Sequence, residues 1–102
     1  MKNQVVELVV YEIKKELSDG FVNDIMPKFR KLIQSFGGIE SYQTYSSLNS
    51  KSVFYDHVVW TNPESAVMAI QKFEKVREEG KHVALLDCFE KVTFMDHFKL
   101  VS

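Results

Sequence analysis

The segment DHVVWTNPESAVMAI, which starts at Asp56, joins a buried strand to a helix with almost no loop between them. Its apolar run ends at Trp60, the only tryptophan in the chain. Asn62 and Pro63 follow after Thr61. They are favoured at the start of a helix, Asn as the N-cap and Pro as the first helical residue. Because side chains alternate between the two faces of a strand, Asp56 and Trp60 should share one face while His57 points to the other. The segment therefore predicts an acid and a large aromatic ring that can line a pocket.

Four segments of the chain are predicted to be strands, at residues 4–13, 39–48, 52–61 and 91–101. The first is rich in β-branched residues and apolar at both parities, which is expected of a central strand covered on both sides. Only a short turn separates the second strand from the third, so these two should form a hairpin. The stretch from His82 to Phe89 fits either a short helix or the start of a strand.

Two amphipathic helices are predicted between these strands. The first begins at Ser18 or Asp19, either of which can cap it, and it presents one broad apolar stripe. Pro27 lies inside this helix and removes a backbone donor, so a kink is expected there. Gly37 and Gly38 should end the helix, because glycine adopts the left-handed conformation at little cost. The second helix is predicted over residues 63–79.

The element order is βαββαβ, in a single domain that spans residues 1–102. Two right-handed crossovers of this kind give an α+β, ferredoxin-like fold, in which a four-stranded antiparallel sheet carries two helices on one face. The other face of the sheet would then expose apolar side chains of the central strands. A homodimer that packs sheet against sheet would cover them, so we expect a dimeric α/β barrel.

The charge and the cysteine content argue against several classes of protein. The formal net charge is −1, and acidic residues are interleaved with the basic ones, so no nucleic-acid partner is expected. The only cysteine is Cys88, which allows neither an intrachain disulfide nor a cysteine metal cluster. The first residues lack a signal-peptide pattern, and no apolar stretch is long enough to cross a membrane. We therefore expect a cytoplasmic protein with no metal and no membrane partner.

Each candidate site residue also has a purely structural explanation. Trp60 fits a core position as well as a pocket position. Asp56, an acid within an apolar strand, must be paired, protonated or close to water, and a salt bridge or a strand-edge position would explain it without catalysis. His57 is expected at the sheet-to-sheet interface, and His97 fits a hydrogen-bonded core or interface histidine better than a general base. Packing is the competing explanation for every tyrosine, Tyr11 included.

Two motifs connect the sequence with a known superfamily: the strand-end Trp60 followed by TNPESAVMAI, and the closing VTFMDHFKLV. Together with the length and the element order, they resemble the antibiotic-biosynthesis monooxygenases of the dimeric α/β-barrel superfamily, over nearly the whole chain. Within it, the sequence looks nearest to an uncharacterised branch, in which the matching positions are Asp56, Trp60, Ala66 or Ala69, and His97-Phe98.

The resemblance implies a cofactor-independent oxidation of a small aromatic or enolisable molecule. In monooxygenases of this family, an Asn and a Trp four residues apart line a pocket, and the deprotonated substrate itself reduces O₂. Asp56 stands at the Asn position, where an ionised carboxylate cannot donate a hydrogen bond but can act as a base. The expected site therefore consists of Asp56 as base or polarising group, His97 in proton transfer, and Trp60, Tyr11 and Phe29 around the substrate.

Heme-degrading relatives use a histidine on the helix after the Trp, and residues 63–79 contain none, so no cofactor is expected. Two other functions remain open. The same pocket could belong to a non-catalytic module that binds a small molecule. An RNA-binding domain can share the topology, but it would expose aromatic and basic side chains on the open sheet face, and the last strand lacks a basic motif.

Overall fold

The computed structural model describes residues 3–102, and it contains one four-stranded sheet with a layer of helices on one side. The strands are β1 (Val5–Ile13), β2 (Ile39–Ser46), β3 (Val53–Trp60) and β4 (Phe89–Phe98). The α-helices are α1 (Ser18–Gly20), α2 (Met26–Gln34), α3 (Pro63–Glu79) and α4 (Val83–Leu86). The predicted ferredoxin-like α+β fold is confirmed, and the ambiguous stretch before β4 forms a short helix.

The strands are arranged in the order β2-β3-β1-β4, and all neighbouring strands are antiparallel. β1 is therefore a central strand, which explains why its sequence is apolar at both parities. The helices cover the face of β1 that carries Val5 and Tyr11, so that Val6 and Val10 belong to the opposite face. We call the helix-covered side the inner face and the other side the open face.

The predicted first helix is not continuous. Between β1 and α2 the chain forms a 3₁₀-helix at Lys15–Leu17, the single turn α1 and a π-helix at Phe21–Ile25. No side chain caps α1, so the expected capping by Ser18 or Asp19 is wrong. Pro27 lies in the first turn of α2, directly after the π-helix. A proline disturbs the helical turn that precedes it, so the π-helix lies where the sequence predicts an irregularity, and the kink itself stays a prediction.

α3 begins and ends as its sequence predicts. The Oδ1 of Asn62 accepts a hydrogen bond of 2.8 Å from the backbone N–H of Ser65, and Gly80 ends the helix with a left-handed φ of 70°. Its buried residues are the small side chains Ala66 and Ala69. The larger apolar side chains of α3 are not buried against the sheet, which leaves room for a cavity between the two layers. No helix among residues 3–102 is long and apolar enough to cross a membrane.

Two groups of buried side chains form the core on the inner face. One joins β1 and β3 to α3 and consists of Val5, Val58, Trp60, Ala66 and Ala69. The other lies towards the opposite end of the same strands and consists of Tyr11, Ile13, Phe21, Phe54 and Cys88. Cys88 is a free thiol, and its burial raises its pKa to about 11, so it remains protonated and unreactive at neutral pH. On β3, Asp56 lies between the two groups.

β4 does not alternate strictly, because bulges interrupt its pairing with β1. Val92 pairs with Tyr11 of the inner face, whereas Phe94 pairs with Val10 of the open face. One extra residue between them therefore turns these two side chains to opposite sides, although strict alternation along residues 91–101 would predict that they share a face. Beyond the bulge, His97 lies on the inner face.

Candidate functional site

A cavity of about 570 Å³ lies between the inner face of the sheet and the helical layer. This volume is typical of sites that bind small molecules. β1 and β3 form one side of the cavity, and α2, α3 and α4 form the other. Most of the lining is apolar, and its aromatic members are Tyr11, Phe29, Phe36, Tyr42, Trp60, Phe73 and Phe89.

Asp56 lies on the sheet side of the cavity with only 5% of its surface exposed. Three hydroxyl groups donate to its carboxylate. Tyr11 and Thr44 each donate to Oδ1 at 2.8 Å, and Tyr42 donates to Oδ2 at 3.1 Å. No residue in the described range 3–102 forms a salt bridge with Asp56. Neutral hydroxyl groups therefore satisfy the hydrogen-bonding capacity of this buried carboxylate. Neither a salt bridge within residues 3–102 nor a position on an edge strand explains it.

Arg30 of α2 supports the carboxylate from the helical layer. Its Nη2 donates to Thr44 Oγ1 at 2.6 Å, and its guanidinium carbon lies 4.6 Å from the centre of the Tyr42 ring. The positive charge thus acts on Asp56 through two intervening side chains and lowers the pKa of the carboxyl. We call these five residues, Tyr11, Arg30, Tyr42, Thr44 and Asp56, the Asp56 group.

Burial has the largest effect on the pKa of Asp56 and raises it above its usual value of 3.8. The three hydrogen bonds and the charge of Arg30 act in the opposite direction without cancelling burial. The pKa values of Tyr11 and Tyr42 are raised far above their usual range, first by burial and then by the charge of Asp56. Both tyrosines therefore stay neutral, and the carboxyl of Asp56 holds a proton more readily than an exposed aspartate does.

The raised pKa of Asp56 predicts how stability depends on pH. The folded state binds this proton more tightly than the unfolded chain, so the stabilisation is fully present below pH 3.8 and is lost as the pH rises through the folded-state pKa. The unfolding free energy of the wild type should therefore fall, relative to that of Asp56→Asn, as the pH rises from 3.8 through the folded-state pKa of Asp56. Urea unfolding of both proteins over a range of pH measures the difference between their unfolding free energies. The other titratable groups are common to both proteins, so their contributions cancel in this difference. A difference that moves the opposite way would contradict the raised pKa.

A second polar group lies one strand away on the same face. Glu7 of β1 pairs with His97 of β4, and its Oε1 lies 2.9 Å from His97 Nε2. The indole N–H of Trp60 donates to the same oxygen at 3.2 Å. Glu7 and Trp60 line the cavity, whereas His97 lies beside Glu7 on the edge strand. We call these three residues the Glu7 group.

The structure brings most of the predicted site residues to one cavity. Those that line it are Asp56, Trp60, Tyr11 and Phe29. Trp60 lines the cavity although only 1% of its surface is exposed, so this residue belongs both to the hydrophobic core and to the cavity wall. His97 is not part of the lining and reaches the cavity through Glu7.

Four further residues of the two groups were not predicted as site residues: Glu7, Arg30, Tyr42 and Thr44. Glu7 carries the same signal as Asp56, an acid on the inner parity of a central strand. Tyr42 and Thr44 lie opposite Val58 and Asp56 in the sheet, but this pairing depends on the register of the hairpin. Arg30 gives no signal in the sequence, because its contact depends on how α2 lies over the sheet.

The cavity also contains one histidine in its lining, His82, which follows α3. Among residues 3–102, no three His, Cys, Asp or Glu side chains converge on a point that could hold a metal ion. The polar side chains in the lining of the described cavity include the carboxylates of Glu7 and Asp56, the hydroxyl groups of Tyr11 and Tyr42, and Arg77.

Solved structures show the same fold over the whole length of the chain. A proposed antibiotic biosynthesis monooxygenase from Bordetella bronchiseptica gives a TM-score of 0.75 at 13% identity and covers 99% of this chain and 100% of that one. The cofactor-independent oxygenase SnoaB from Streptomyces nogalater gives 0.73 at 9% identity and covers 98% of this chain and 95% of its own. No family model matches the sequence, and no curated protein sequence matches it. At these identities the likeness establishes the fold alone.

Proposed function

We propose that the protein is an oxygenase that needs no cofactor and oxidises a small aromatic or enolisable molecule in the inner cavity. The observation that carries this proposal is Asp56, a buried carboxyl with a raised pKa beside an aromatic-lined cavity. A base of this kind is suited to removing a proton from a weak acid. The shared fold with a cofactor-independent oxygenase supports the proposal.

In the proposed reaction, the Asp56 group removes a proton from the ligand. When Asp56 is ionised, the neutral hydroxyl groups of Tyr11 and Tyr42 donate hydrogen bonds to its carboxylate, so the lone pairs of their oxygens are free to accept from a ligand. An enol or phenol hydroxyl donates to one of these oxygens, and the proton of that tyrosine then moves to Asp56. Because burial favours the neutral carboxyl, Asp56 accepts this proton more readily than an exposed aspartate would.

The ligand anion then supplies the electrons that reduce O₂. For a substrate with an acidic CH₂ group, the overall reaction is R₂CH₂ + O₂ → R₂C=O + H₂O. The carbanion forms a bond to O₂, and the O–O bond of the resulting peroxide breaks as the remaining C–H bond is converted to C=O. One oxygen atom ends in the ketone and the other in water, so no external reductant is required.

Anthrone tests the proposal, because its CH₂ group is acidic and its oxidation product is a stable quinone. The wild-type protein should speed O₂ uptake and anthraquinone formation in equal amounts, with no added flavin, metal or reductant. Heat-unfolded protein and buffer alone measure the spontaneous oxidation. If neither anthrone nor the phenolic probe 1,4-dihydroxynaphthalene is oxidised faster than in these controls, the oxygenase proposal is rejected.

A non-catalytic binding module is the second candidate function, and the hydrogen bonds of Asp56 favour it. Three hydroxyl groups already occupy both carboxylate oxygens, which is also what a purely structural aspartate requires. Such a module would be stabilised against heat by anthrone or anthraquinone without O₂ uptake. That pair of results would retain the cavity as a ligand site and remove the catalytic role.

We further propose that the protein forms a homodimer through its open face. This face carries Phe94 and Phe98, which are 46% and 43% exposed, and Tyr45, whose ring is stacked on that of Tyr55 at 4.7 Å. His57 lies on the same face, opposite to Asp56, as its parity predicts. A second copy would remove this apolar surface from water by a symmetric contact.

Sedimentation analysis at micromolar concentration tests the dimer. The wild type should sediment as a dimer, and Phe94→Glu should shift it to the monomer, because the substitution places a charge in the proposed contact. Glu90→Gln, at an exposed position of the same strand, is the control and should remain dimeric. A wild-type monomer under these conditions would contradict the proposal.

A further inference from the structure

The Glu7 group differs from the Asp56 group in its access to water. Asp56 is 5% exposed, and both its oxygens accept hydrogen bonds. The Glu7 side chain is 15% exposed and the His97 side chain is 28% exposed, at the edge of the sheet. Within residues 3–102, both hydrogen-bond contacts of Glu7 are made by Oε1, which leaves Oε2 without a partner. Glu7 therefore has acceptor capacity to spare, beside a histidine that water can reach.

The position of Glu7 fits a second reacting group for the same ligand. In the sheet, Glu7 lies opposite Val58 and Asp56 lies opposite Val9, so the two carboxylates occupy neighbouring rows of the inner face. Both line the same cavity. The charge of Glu7 also contributes to the raised pKa of Tyr42, which hydrogen-bonds Asp56. A ligand that contacts the Asp56 group can therefore meet Glu7 within one cavity.

We propose that Glu7 and His97 form a second proton-transfer site, which holds one proton between Oε1 and Nε2, gives it to the peroxide anion and regains a proton from the substrate carbon. The inference rests on the proposed oxygenase function and adds to it a proton donor for the peroxide anion. Glu7 would contact the reacting atoms and is the catalytic residue of the pair. His97 acts through Glu7 and is a positioning residue, and the indole N–H of Trp60 fixes the oxygen that they share.

The two sites together balance the protons of the reaction. The Asp56 group removes the first proton from the substrate, which leaves Asp56 protonated, and the carbanion bonds to O₂. The Glu7–His97 pair then gives its proton to the peroxide anion. As the O–O bond breaks, Glu7 takes the second proton from carbon, and the electrons of that C–H bond form C=O. The hydroxide that leaves takes the proton held by Asp56 and becomes water, so both carboxyl groups return to their starting states.

Other charged groups surround the pair and belong to its electrostatic environment. The backbone N–H of His97 donates to Asp96 Oδ1 on the same strand at 2.8 Å. The remaining titratable groups that line the cavity on neighbouring elements are Asp56 on β3, Tyr11 on β1, Tyr42 on β2, Glu74 and Arg77 on α3, and His82 and Asp87 beside α4.

Nuclear magnetic resonance tests the pair without any substrate. Trp60 is the only tryptophan, so its indole N–H gives a single cross-peak. In the wild type, this cross-peak and the ring resonances of His97 should move together as the pH is changed, because both groups contact Glu7 Oε1. Glu7→Gln should abolish the joint movement, whereas Glu90→Gln should preserve it. A Trp60 cross-peak that stays in place while the His97 ring resonances move, or joint movement that persists in Glu7→Gln, would overturn the proposal.

Anthrone separates the roles of the two carboxylates. Without O₂ in D₂O, exchange of the CH₂ hydrogens should require Asp56 and should survive Glu7→Gln. With O₂, Glu7→Gln should lower kcat about 10²-fold, and His97→Gln should do so to a smaller extent. Loss of deuterium exchange in Glu7→Gln would instead make Glu7 the base and refute the assignment. If the wild type catalyses neither process, the oxygenase proposal fails, and the resonance experiment still decides whether Glu7 and His97 share a proton.

Discussion

Asp56→Asn should lower the rate of anthrone oxidation by at least about 10²-fold, the usual range for loss of a general base. The substitution keeps the shape of the side chain and one oxygen that can accept hydrogen bonds from Tyr11 and Thr44. An amide cannot take the proton that the ligand must lose, so only the chemical step should suffer. The binding of anthraquinone, measured by thermal shift, should change far less than the rate.

The pH dependence of the wild-type rate provides an independent check on this residue. The base must begin ionised, so the rate should fall as the solution is acidified through the pKa of Asp56, which burial places above 3.8. Asp56→Asn should lose that acid limb together with the activity. Asp24→Asn, at an exposed position outside the cavity, is the matched control and should keep both. An Asp56→Asn variant that retains the wild-type rate would remove Asp56 from the mechanism.

Trp60→Ala should destabilise the fold by about 3–5 kcal/mol, the usual cost of truncating a buried aromatic side chain. Trp60 is 1% exposed and packs against Val58, Ala66 and Ala69 between β3 and α3. The substitution also removes the N–H that donates to Glu7. Because a domain of this size has a total stability of about 5–15 kcal/mol, the loss would consume a large part of it.

Urea unfolding followed by circular dichroism measures this effect, since the variant loses its only tryptophan fluorophore. Trp60→Phe is the matched control, because it retains most of the buried ring while removing the indole N–H. If packing of the ring contributes more than the indole hydrogen bond, Trp60→Phe should lower the unfolding free energy by only a fraction of the loss caused by Trp60→Ala. An Ala variant within about 1 kcal/mol of the wild type, the size of an ordinary substitution, would instead show that Trp60 only lines the cavity.

Those parts of the fold that depend on local rules could be predicted from the sequence. The strands follow from parity, and α3 follows from the Asn62 cap and the Gly80 terminus. The form of the irregularity before α2, a π-helix, and the bulge in β4 were not predicted. Both are departures from regular spacing that packing against neighbouring elements stabilises, and neither leaves a residue pattern of its own.

The residues of the candidate site also fall into those that the sequence could place and those that it could not. Asp56 and Trp60 could be placed on one face, because they belong to one strand and alternation relates them directly. Tyr42 and Thr44 required the register between β2 and β3, which the turn between these strands does not specify. Arg30 required the rotation of α2 about its own axis, and the π-helix before α2 changes that rotation. Contacts between elements were therefore the part that the sequence could not provide.

The small buried side chains of α3 have a consequence for folding. Ala66 and Ala69 hold this helix near the sheet, while Ile70 and Phe73 border the cavity instead of filling it. A ligand in that space would complete the hydrophobic core, so its binding and the folding of the chain are thermodynamically linked. At a free ligand concentration of 100 times Kd, the linkage adds about 2.7 kcal/mol to the stability of the folded state. The abundance of the folded protein in a cell would then follow the supply of its ligand.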